Sequence, residues 1–390
     1  MVHQHSIFCI LPPHILSEIA SRGTSEQRDL ALRSLSLSDQ IRSVRRTASE
    51  YSSFLPARTG AAKQRTVYDA QHGSNLPGTV VRKEGGPPVA DVAVNEAYDG
   101  AGITYDLYLN IYQRNSIDGK GLPIDSSIHY QKDYDNAFWN GYQMVYGDGD
   151  SDLPAAQQLF NRFTIAVDVI GHELTHGVTG SSANLAYWDQ SGALNESISD
   201  VFGSLVKQYN LKQTADQADW IIGQGLLTNN VKGIGLRSMK APGTAYDDPV
   251  LGKDPQPGTM GAYANMTSDN GGVHINSGIP NHAFYVVAAT IGGYAWEKAG
   301  LIWYKTLTEK LQERSNFQDA ANLTFQAAGE LFGNGSLEQN AVKTGWAEVG
   351  ITVGAASTTV STPPSTDNSG CLPTLLQQFG LMGTPKSGAK

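Results

Sequence analysis

The run His172–His176, which reads HELTH, constrains this chain more than any other feature of its sequence. Two histidines four positions apart lie on one face of a helix, one turn from each other, so their imidazoles can bind one zinc ion. Glu173 lies on the same turn, where it can accept a proton from the attacking water. The alternative is a surface helix with two histidines and a glutamate. The apolar, largely β-branched residues before the motif favour a buried helix, and buried histidines need polar partners.

A second segment offers the third protein ligand that a catalytic zinc site requires. Apolar residues recur at helical spacing over residues 194–205, which predicts an amphipathic helix. Glu196 and Asp200 lie one turn apart on it. Glu196 can bind the ion, while Asp200 can accept a hydrogen bond from the far nitrogen of a ligating histidine and fix its tautomer. Without the upstream motif, two solvated acids on a helix face would be the favoured interpretation.

A third segment, residues 269–278, is rich in glycine, asparagine and aspartate and predicts a positioned loop that opens a helix. His274 could donate a hydrogen bond to a developing oxyanion, with Asp269 holding its other nitrogen. Taken alone, the segment is equally compatible with an ordinary loop histidine.

Together these motifs resemble those of the thermolysin family of zinc metallopeptidases. HELTH, GALNESISD and DNGGVHINSGIPN occur in that order, preceded by NAFWNG and YGDGD, with LRSM between the second and third clusters. The resemblance extends over roughly residues 65–351. It implies one zinc ion per chain, bound by His172, His176 and Glu196, with Asp200 behind a ligating histidine.

The resemblance also implies roles for residues around the ion. Glu173 would be the general base. His274 and Tyr187 would stabilise the tetrahedral intermediate, with Asp269 behind His274. The chain would then be a zinc-dependent neutral endopeptidase.

Substrate-binding residues are implied in the same way. Asn136, Ala137 and Arg237 would bind the substrate backbone. An apolar pocket for the residue after the scissile bond would be lined by Phe160, Phe163, Val169, Ile222, Leu226 and Leu236. Such a pocket implies cleavage on the N-terminal side of bulky hydrophobic residues.

Residues 1–60 resemble the short propeptide of protealysin-like members of this family. Leu11–His14 corresponds to their Pro-Pro-hydrophobic motif, although His14 stands where an aliphatic residue is usual. We expect a short helix ending at Gly23, a second helix opened by a capping box, and self-cleavage between roughly Thr47 and Lys63. The segment would act as an intramolecular inhibitor. The alternative is a helical extension with no inhibitory role.

The sequence also departs from the calcium-binding members of the family. Asp168 remains from their carboxylate cluster, but the matching positions read Lys207, Ile221 and Gln224, and only Asp219 supplies a second carboxylate. Calcium takes six to eight oxygen ligands, so the calcium double site is predicted absent. Lys207 could pair with Asp168 instead, or stay exposed without a partner.

Composition limits the partners. With 40% hydrophobic residues the chain can bury a large core, and its net charge of −9 argues against nucleic acid as a partner. No apolar run approaches the length of a membrane span, and two cysteines give no disulfide framework. We expect a monomer acting on protein or peptide substrates. The short apolar stretch Ile7–Leu11 is no secretory signal, which predicts a cytoplasmic precursor and export by a non-classical route.

The predicted fold class is α+β, a thermolysin-like two-lobed fold with the zinc site in the cleft between lobes. We divide the chain into a propeptide (1–60), a β-rich lobe ending in the HExxH helix (61–186), a helical lobe (187–351) and a Ser/Thr/Pro-rich linker and tail (352–390). Strands are expected over 79–81 and 104–112, and helices over 281–290 and 293–311. The tail carries an apolar helical stripe, or is simply disordered. A different class of function also remains: a zinc-stabilised binding protein, permanently blocked by its own N-terminus.

Overall fold

The computed structural model describes residues 8–37 and 62–357. The expected cleavage zone lies mostly outside these ranges, and the helical stripe of the tail lies wholly outside them. Within them, no helix is both long and apolar enough to cross a membrane.

A six-stranded mixed sheet forms the N-terminal lobe, in the order β1-β5-β6-β4-β2-β3. The strands are β1 (Phe8–Cys9), β2 (Arg65–Asp69), β3 (Thr79–Lys83), β4 (Ile124–Ile128), β5 (Ala137–Trp139) and β6 (Gln143–Tyr146). β4 runs parallel to both β2 and β6, and the other pairs are antiparallel. The strand expected over 79–81 is confirmed as β3. The edge strand β1 comes from the N-terminal segment, more than 100 residues before its partner β5 in the sequence.

Two helices follow β1. α1 (Pro13–Arg22) ends at Gly23 as expected, and buries Ile15, Leu16 and Ile19. A second helix, α2, covers 25–37, the last described residues before the gap. The expected capping box opens it: the Thr24 amide donates to Gln27 Oε1 at 2.8 Å, and the Gln27 amide donates to Thr24 Oγ1 at 3.3 Å.

The strand expected over 104–112 is wrong, because these residues end a long helix, α3 (Val92–Tyr112). Asp91 caps it by accepting a hydrogen bond from the Ala93 amide at 2.9 Å. Burial follows the helical period rather than alternation: Val94, Ala97, Ala101, Tyr105, Tyr108 and Tyr112 are all buried. In the alternating pattern, Tyr105 counted as a buried position of a strand and Tyr108 as an exposed one. Tyr108 is in fact fully buried.

Two closely packed helices carry the HELTH and GALNESISD motifs, as predicted. α4 (Val167–Gly180) and α5 (Asp189–Leu211) are buried along most of their lengths. Gly203 allows their approach, because a Cβ there would meet the Asp168 carbonyl oxygen at 2.4 Å.

Lys207 on α5 ties this helix pair together. Its ammonium lies 3.0 Å from Asp168 Oδ2 on α4 and 2.8 Å from Asp219 Oδ1, and it donates to the Ile221 carbonyl at 2.6 Å. Only 6% of Lys207 is exposed. The expected pairing of Lys207 with Asp168 is therefore confirmed, and an unpaired exposed lysine is wrong.

The C-terminal lobe is helical, with short two-residue strands in its connections. These strands are β7 (Ile221–Ile222), β8 (Arg237–Ser238), β9 (Asp247–Asp248) and β10 (Gly252–Lys253), followed by α6 (Asp269–Asn276), α7 (Gly278–Ile291), α8 (Ala299–Glu309), α9 (Phe317–Phe332) and α10 (Leu337–Glu348). The helix expected over 281–290 lies within α7. The helix expected over 293–311 is too long, because Gly292 and Gly293 have φ of 73° and 68° and helix resumes only at Ala299. The molecule is thus the α+β two-lobed fold that the sequence predicts.

Candidate metal centre and substrate cleft

The sequence-predicted zinc ligands meet between α4 and α5. Nε2 of His172 lies 3.0 Å from Nε2 of His176, and carboxylate oxygens of Glu196 lie 3.5 Å from each of these nitrogens. All three side chains are almost completely buried. Glu196 Oε2 has no hydrogen-bond partner among the described residues, which is costly for a buried carboxylate unless a cation completes its surroundings. Two imidazoles and one carboxylate converging on one point fit a zinc ion with an open fourth position.

The other nitrogen of each histidine is held by a second residue. Asp200 Oδ1 lies 2.8 Å from His172 Nδ1, as predicted. Asn195 Oδ1 and Ser199 Oγ lie 2.9 and 3.0 Å from His176 Nδ1. These contacts turn both Nε2 atoms towards Glu196. Sequence reasoning missed Asn195 and Ser199, although both stand inside GALNESISD.

Asp200 has further partners. Nε and Nη2 of Arg237 donate to its two oxygens, both at 2.8 Å, and Asn281 Nδ2 donates to Oδ2 at 2.8 Å. Burial alone would raise the pKa of Asp200, but the Arg237 guanidinium and His172 hold it at about 2. Asn281 was also missed, and its signal was the final letter of DNGGVHINSGIPN.

Glu173 lies beside the metal-ligating cluster without joining it. Its Oε2 accepts a hydrogen bond from the Trp139 amide of β5 at 2.9 Å, which leaves Oε1 free of hydrogen bonds to the described residues. Burial raises the pKa of Glu173 to about 8, against the opposing effects of His172 and the Trp139 amide. A carboxylate with a raised pKa is a stronger base, which suits proton abstraction.

His274 and Tyr187 converge on the same point from the other side. Tyr187 donates to Glu196 Oε1, and its hydroxyl lies 3.2 Å from His274 Nε2. Asp269 holds His274 twice, at 2.6 Å to Nδ1 and at 2.9 Å to the backbone amide. Burial opposes a charge on His274, but Asp269 and Glu196 outweigh it and raise the pKa of the imidazole.

The backbone conformation before His274 explains why two glycines stand there. Gly271 and Gly272 adopt φ of 86° and 80°, a left-handed conformation that favours glycine. A Cβ at Gly272 would meet Met266 Sδ at 2.7 Å. The expected loop before a helix is therefore confirmed, and it aims His274 at the cluster.

The N-terminal segment lies in the cleft beside these residues. The Ile10 amide donates to the Ala137 carbonyl at 3.2 Å, and the Leu11 amide donates to Asn136 Oδ1 at 3.0 Å. Arg237 Nη1 donates to the Ile10 carbonyl at 3.1 Å. The three residues predicted to bind a substrate backbone thus bind the backbone of this segment.

Ile10 is fully buried in an apolar cluster. That cluster is the main core of both lobes, and it includes the six residues predicted to line the apolar pocket, which are at most 1% exposed: Phe160, Phe163, Val169, Ile222, Leu226 and Leu236. The partner of His14 was not predicted: His14 Nε2 lies 2.9 Å from the Tyr246 hydroxyl.

Comparison with known proteins agrees with this geometry. The family description "Thermolysin metallopeptidase, catalytic domain" matches residues 36–180, and "Thermolysin metallopeptidase, alpha-helical domain" matches residues 183–351. An extracellular metalloprotease of Pectobacterium carotovorum subsp. carotovorum is 51% identical over 348 residues, covering 89% of this chain and 97% of that protein. Protease PrtS of Photorhabdus sp. (strain Az29) is 47% identical over 349 residues, covering 88% and 92%.

A solved structure is also similar: the precursor of protealysin, a metalloproteinase from Serratia proteamaculans. It is 51% identical, with a TM-score of 0.79, and the match covers 88% of this chain and all of that one. The thermolysin family implies zinc, and the cluster of His172, His176 and Glu196 fits that ion. The chain belongs to the thermolysin family and is a zinc metalloendopeptidase.

Proposed function

We propose that this metalloendopeptidase is made as a self-processing precursor, inhibited by its own N-terminal segment, and that the released enzyme cleaves before bulky apolar residues. One observation carries the proposal: residues 8–11 lie in the cleft, where Phe8–Cys9 form a strand antiparallel to β5 and the Ile10 amide adds a further hydrogen bond to it. The Cys9 carbonyl oxygen lies 3.2 Å from His274 Nε2, next to the zinc-ligand cluster. The segment therefore occupies the place that a substrate needs.

The chemistry follows from the side chains around the cluster. Zinc held by His172, His176 and Glu196 would polarise the scissile carbonyl and make the attacking water more acidic. Glu173 takes the proton from that water and passes it to the leaving amine. The Trp139 amide keeps one oxygen of Glu173 fixed, so the other is the proton acceptor.

Two hydrogen-bond donors of the chain would help to stabilise the negative charge on the oxyanion. His274 Nε2 lies 3.2 Å from the Cys9 carbonyl oxygen and 3.2 Å from the Tyr187 hydroxyl. Asp269 on Nδ1 stabilises the doubly protonated imidazolium, the form in which Nε2 has a proton to donate. Donors held in place before the reaction need no reorganisation when charge develops. His274 and Tyr187 are therefore the proposed stabilisers of the tetrahedral intermediate, and Asp269 orients His274.

Specificity is inferred from the way Ile10 is held. Its amide is bound by Ala137, its carbonyl by Arg237, and its side chain is buried in the apolar cluster. The carbonyl before it faces His274, so Ile10 stands where the residue after a scissile bond would stand. A substrate bound in the same way would place a bulky apolar side chain in that cluster.

The chain turns away from the cleft immediately after Leu11. Pro12 is the N-cap of α1 and Pro13 its first residue, and neither has an amide hydrogen to donate. Gln27 Nε2 then donates to the Gln157 carbonyl at 2.7 Å, and His14 contacts Tyr246. These contacts anchor the inhibitory segment on both sides of the cleft.

Glu173→Ala tests the catalytic role. Because Glu173 is not a zinc ligand, the variant should keep one zinc per chain and lose at least about a thousandfold in hydrolysis of denatured casein. Metal analysis and turnover are measured on one sample. Glu348→Ala, an exposed glutamate on α10, is the matched control and should retain activity. Loss of zinc together with activity would make Glu173 structural, and full activity without it would refute the mechanism.

Self-processing gives a second test. Purified wild type should shorten from its N-terminus over time, whereas Glu173→Ala should stay at full length, which mass spectrometry follows. Ile10→Asp puts a carboxylate into the apolar cluster, so it should loosen the segment and speed shortening; Leu337→Asp, at a distant exposed residue, should not. An inactive variant that shortens in pure form would contradict self-processing. A wild-type protein that stays at full length and hydrolyses no substrate would instead support the alternative, a zinc-stabilised binding protein blocked by its own N-terminus.

Cleavage products test the specificity. Burying a Leu, Ile, Val or Phe side chain contributes about 1.5–3 kcal/mol, so a preference of about ten- to a hundredfold is expected. New N-termini in a digest of a denatured protein should begin with these residues. Products that begin mostly with Asp, Glu or Gly would exclude the apolar cluster as the specificity pocket.

We also propose that the calcium double site is absent. The Lys207 ammonium already neutralises Asp168 and Asp219, which leaves too few carboxylates for two calcium ions. The thermal midpoint of the purified protein should therefore change by less than about one degree between chelator and millimolar calcium. A rise of several degrees would show that the folded protein binds calcium and would contradict the proposal.

A further inference from the structure

A second group of metal-ligating side chains lies where three neighbouring parallel strands end. His72 follows β2, His129 follows β4 and Asp148 follows β6, and β4 lies between the other two strands. One nitrogen or oxygen from each side chain lies within 4.8 Å of the others. Parallel strands end at one edge of a sheet, which explains why residues so far apart in sequence meet.

The spacing of these atoms resembles that of the zinc ligands in the same structure. His129 Nδ1 lies 2.8 Å from both oxygens of Asp148, and His72 Nδ1 lies 3.6 Å from Asp148 Oδ2. The corresponding separations among the catalytic ligands are 3.0, 3.5 and 3.5 Å. Tetrahedral zinc with bonds near 2.1 Å sets its ligand atoms about 3.4 Å apart. His129 and Asp148 need only separate slightly, which their partial exposure permits.

A carboxylate stands behind His129, as Asp200 stands behind His172. Asp91 Oδ2 lies 2.8 Å from His129 Nε2, the nitrogen on the far side of the ring from Asp148. Asp91 is itself fixed, because its Oδ1 caps α3. A carboxylate on the far nitrogen orients a ligating imidazole. A metal ion at Nδ1 would displace the proton that this nitrogen shares with Asp148, so binding would release a proton.

We propose that His72, His129 and Asp148 bind a second divalent transition-metal ion of the zinc class. Two imidazole nitrogens and one carboxylate suit Zn²⁺, Co²⁺ or Ni²⁺, whereas Ca²⁺ and Mg²⁺ take oxygen ligands. The His72 side chain is 55% exposed, so the ion can enter from solvent and keep a water ligand. This site is separate from the catalytic cluster and does not depend on the proposed self-processing.

The ion would connect three loops of the N-terminal lobe. The His72 amide already donates to the His129 carbonyl at 2.8 Å, so a shared metal adds to an existing contact. Asp148 adjoins Gly147, whose amide donates to the carbonyl of Asn136, a residue that holds the segment in the cleft. The site therefore stabilises the lobe next to the substrate-binding strand.

Zinc stoichiometry tests the proposal. Full-length protein carrying Glu173→Ala, which blocks processing, is equilibrated with micromolar Zn²⁺ at pH 7.5 and freed of unbound metal. We expect two zinc ions per chain, and one in the additional variant His72→Gln. His282→Gln, which changes a histidine outside both clusters, is the matched control and should keep two. Asp148→Asn should also lose one zinc ion. The same loss from a second ligand position shows that the effect is not particular to the His72 substitution.

Two further readouts make the result decisive. Co²⁺ added to protein that already holds one zinc ion per chain should give a visible absorption band that His72→Gln lacks. A second equivalent of Zn²⁺ should raise the thermal midpoint by several degrees only with His72 present. Circular dichroism and the retained catalytic zinc confirm that each variant is folded. Two results would overturn the proposal. One is a single zinc ion per chain when His72, His129 and Asp148 are all present, and the other is a second zinc ion that remains in both His72→Gln and Asp148→Asn.

Discussion

Asp200 accepts hydrogen bonds from His172, Arg237 and Asn281, and through them it joins α4, α5, β8 and α7. A fully buried carboxylate is stable only with such partners, because an unpaired charge in the interior is expensive. The same hydrogen bonds set the tautomer of a zinc ligand and the direction of the guanidinium that binds a peptide carbonyl. Metal binding and substrate binding therefore depend on one ionised group that solvent does not reach.

Strand β5 couples the two halves of the proposed reaction. The Trp139 amide fixes the general base, while the Ala137 carbonyl, two residues earlier, binds the main chain in the cleft. Because a strand of three residues carries both contacts, a shift of β5 would displace base and substrate together. The sheet that positions β5 is buried throughout β4, β5 and β6, which limits such shifts.

The sequence predicted the parts of this molecule that local spacing controls. HELTH and GALNESISD placed Glu173, Glu196 and Asp200 on helices, because i,i+4 spacing translates directly into one face. The sequence did not predict partners from other elements: Tyr246 meets His14, and Trp139 meets Glu173, only when elements far apart in the sequence pack together. The α3 error had a different cause: Tyr108 was counted as a polar position of a strand, although it lies on the same buried helix face as Tyr105 and Tyr112.

The N-terminal segment contacts the cleft through its main chain and buries the side chains of Cys9, Ile10 and Leu11. Removal of the segment, as proposed, would make β5 an edge strand whose peptide groups an extended chain could pair with. A folded protein presents few stretches of four residues that can leave their own secondary structure to do so. An incomplete sheet of this kind would favour substrates by their local mobility, so that unfolded chains and loose termini would be cleaved in preference to compact proteins.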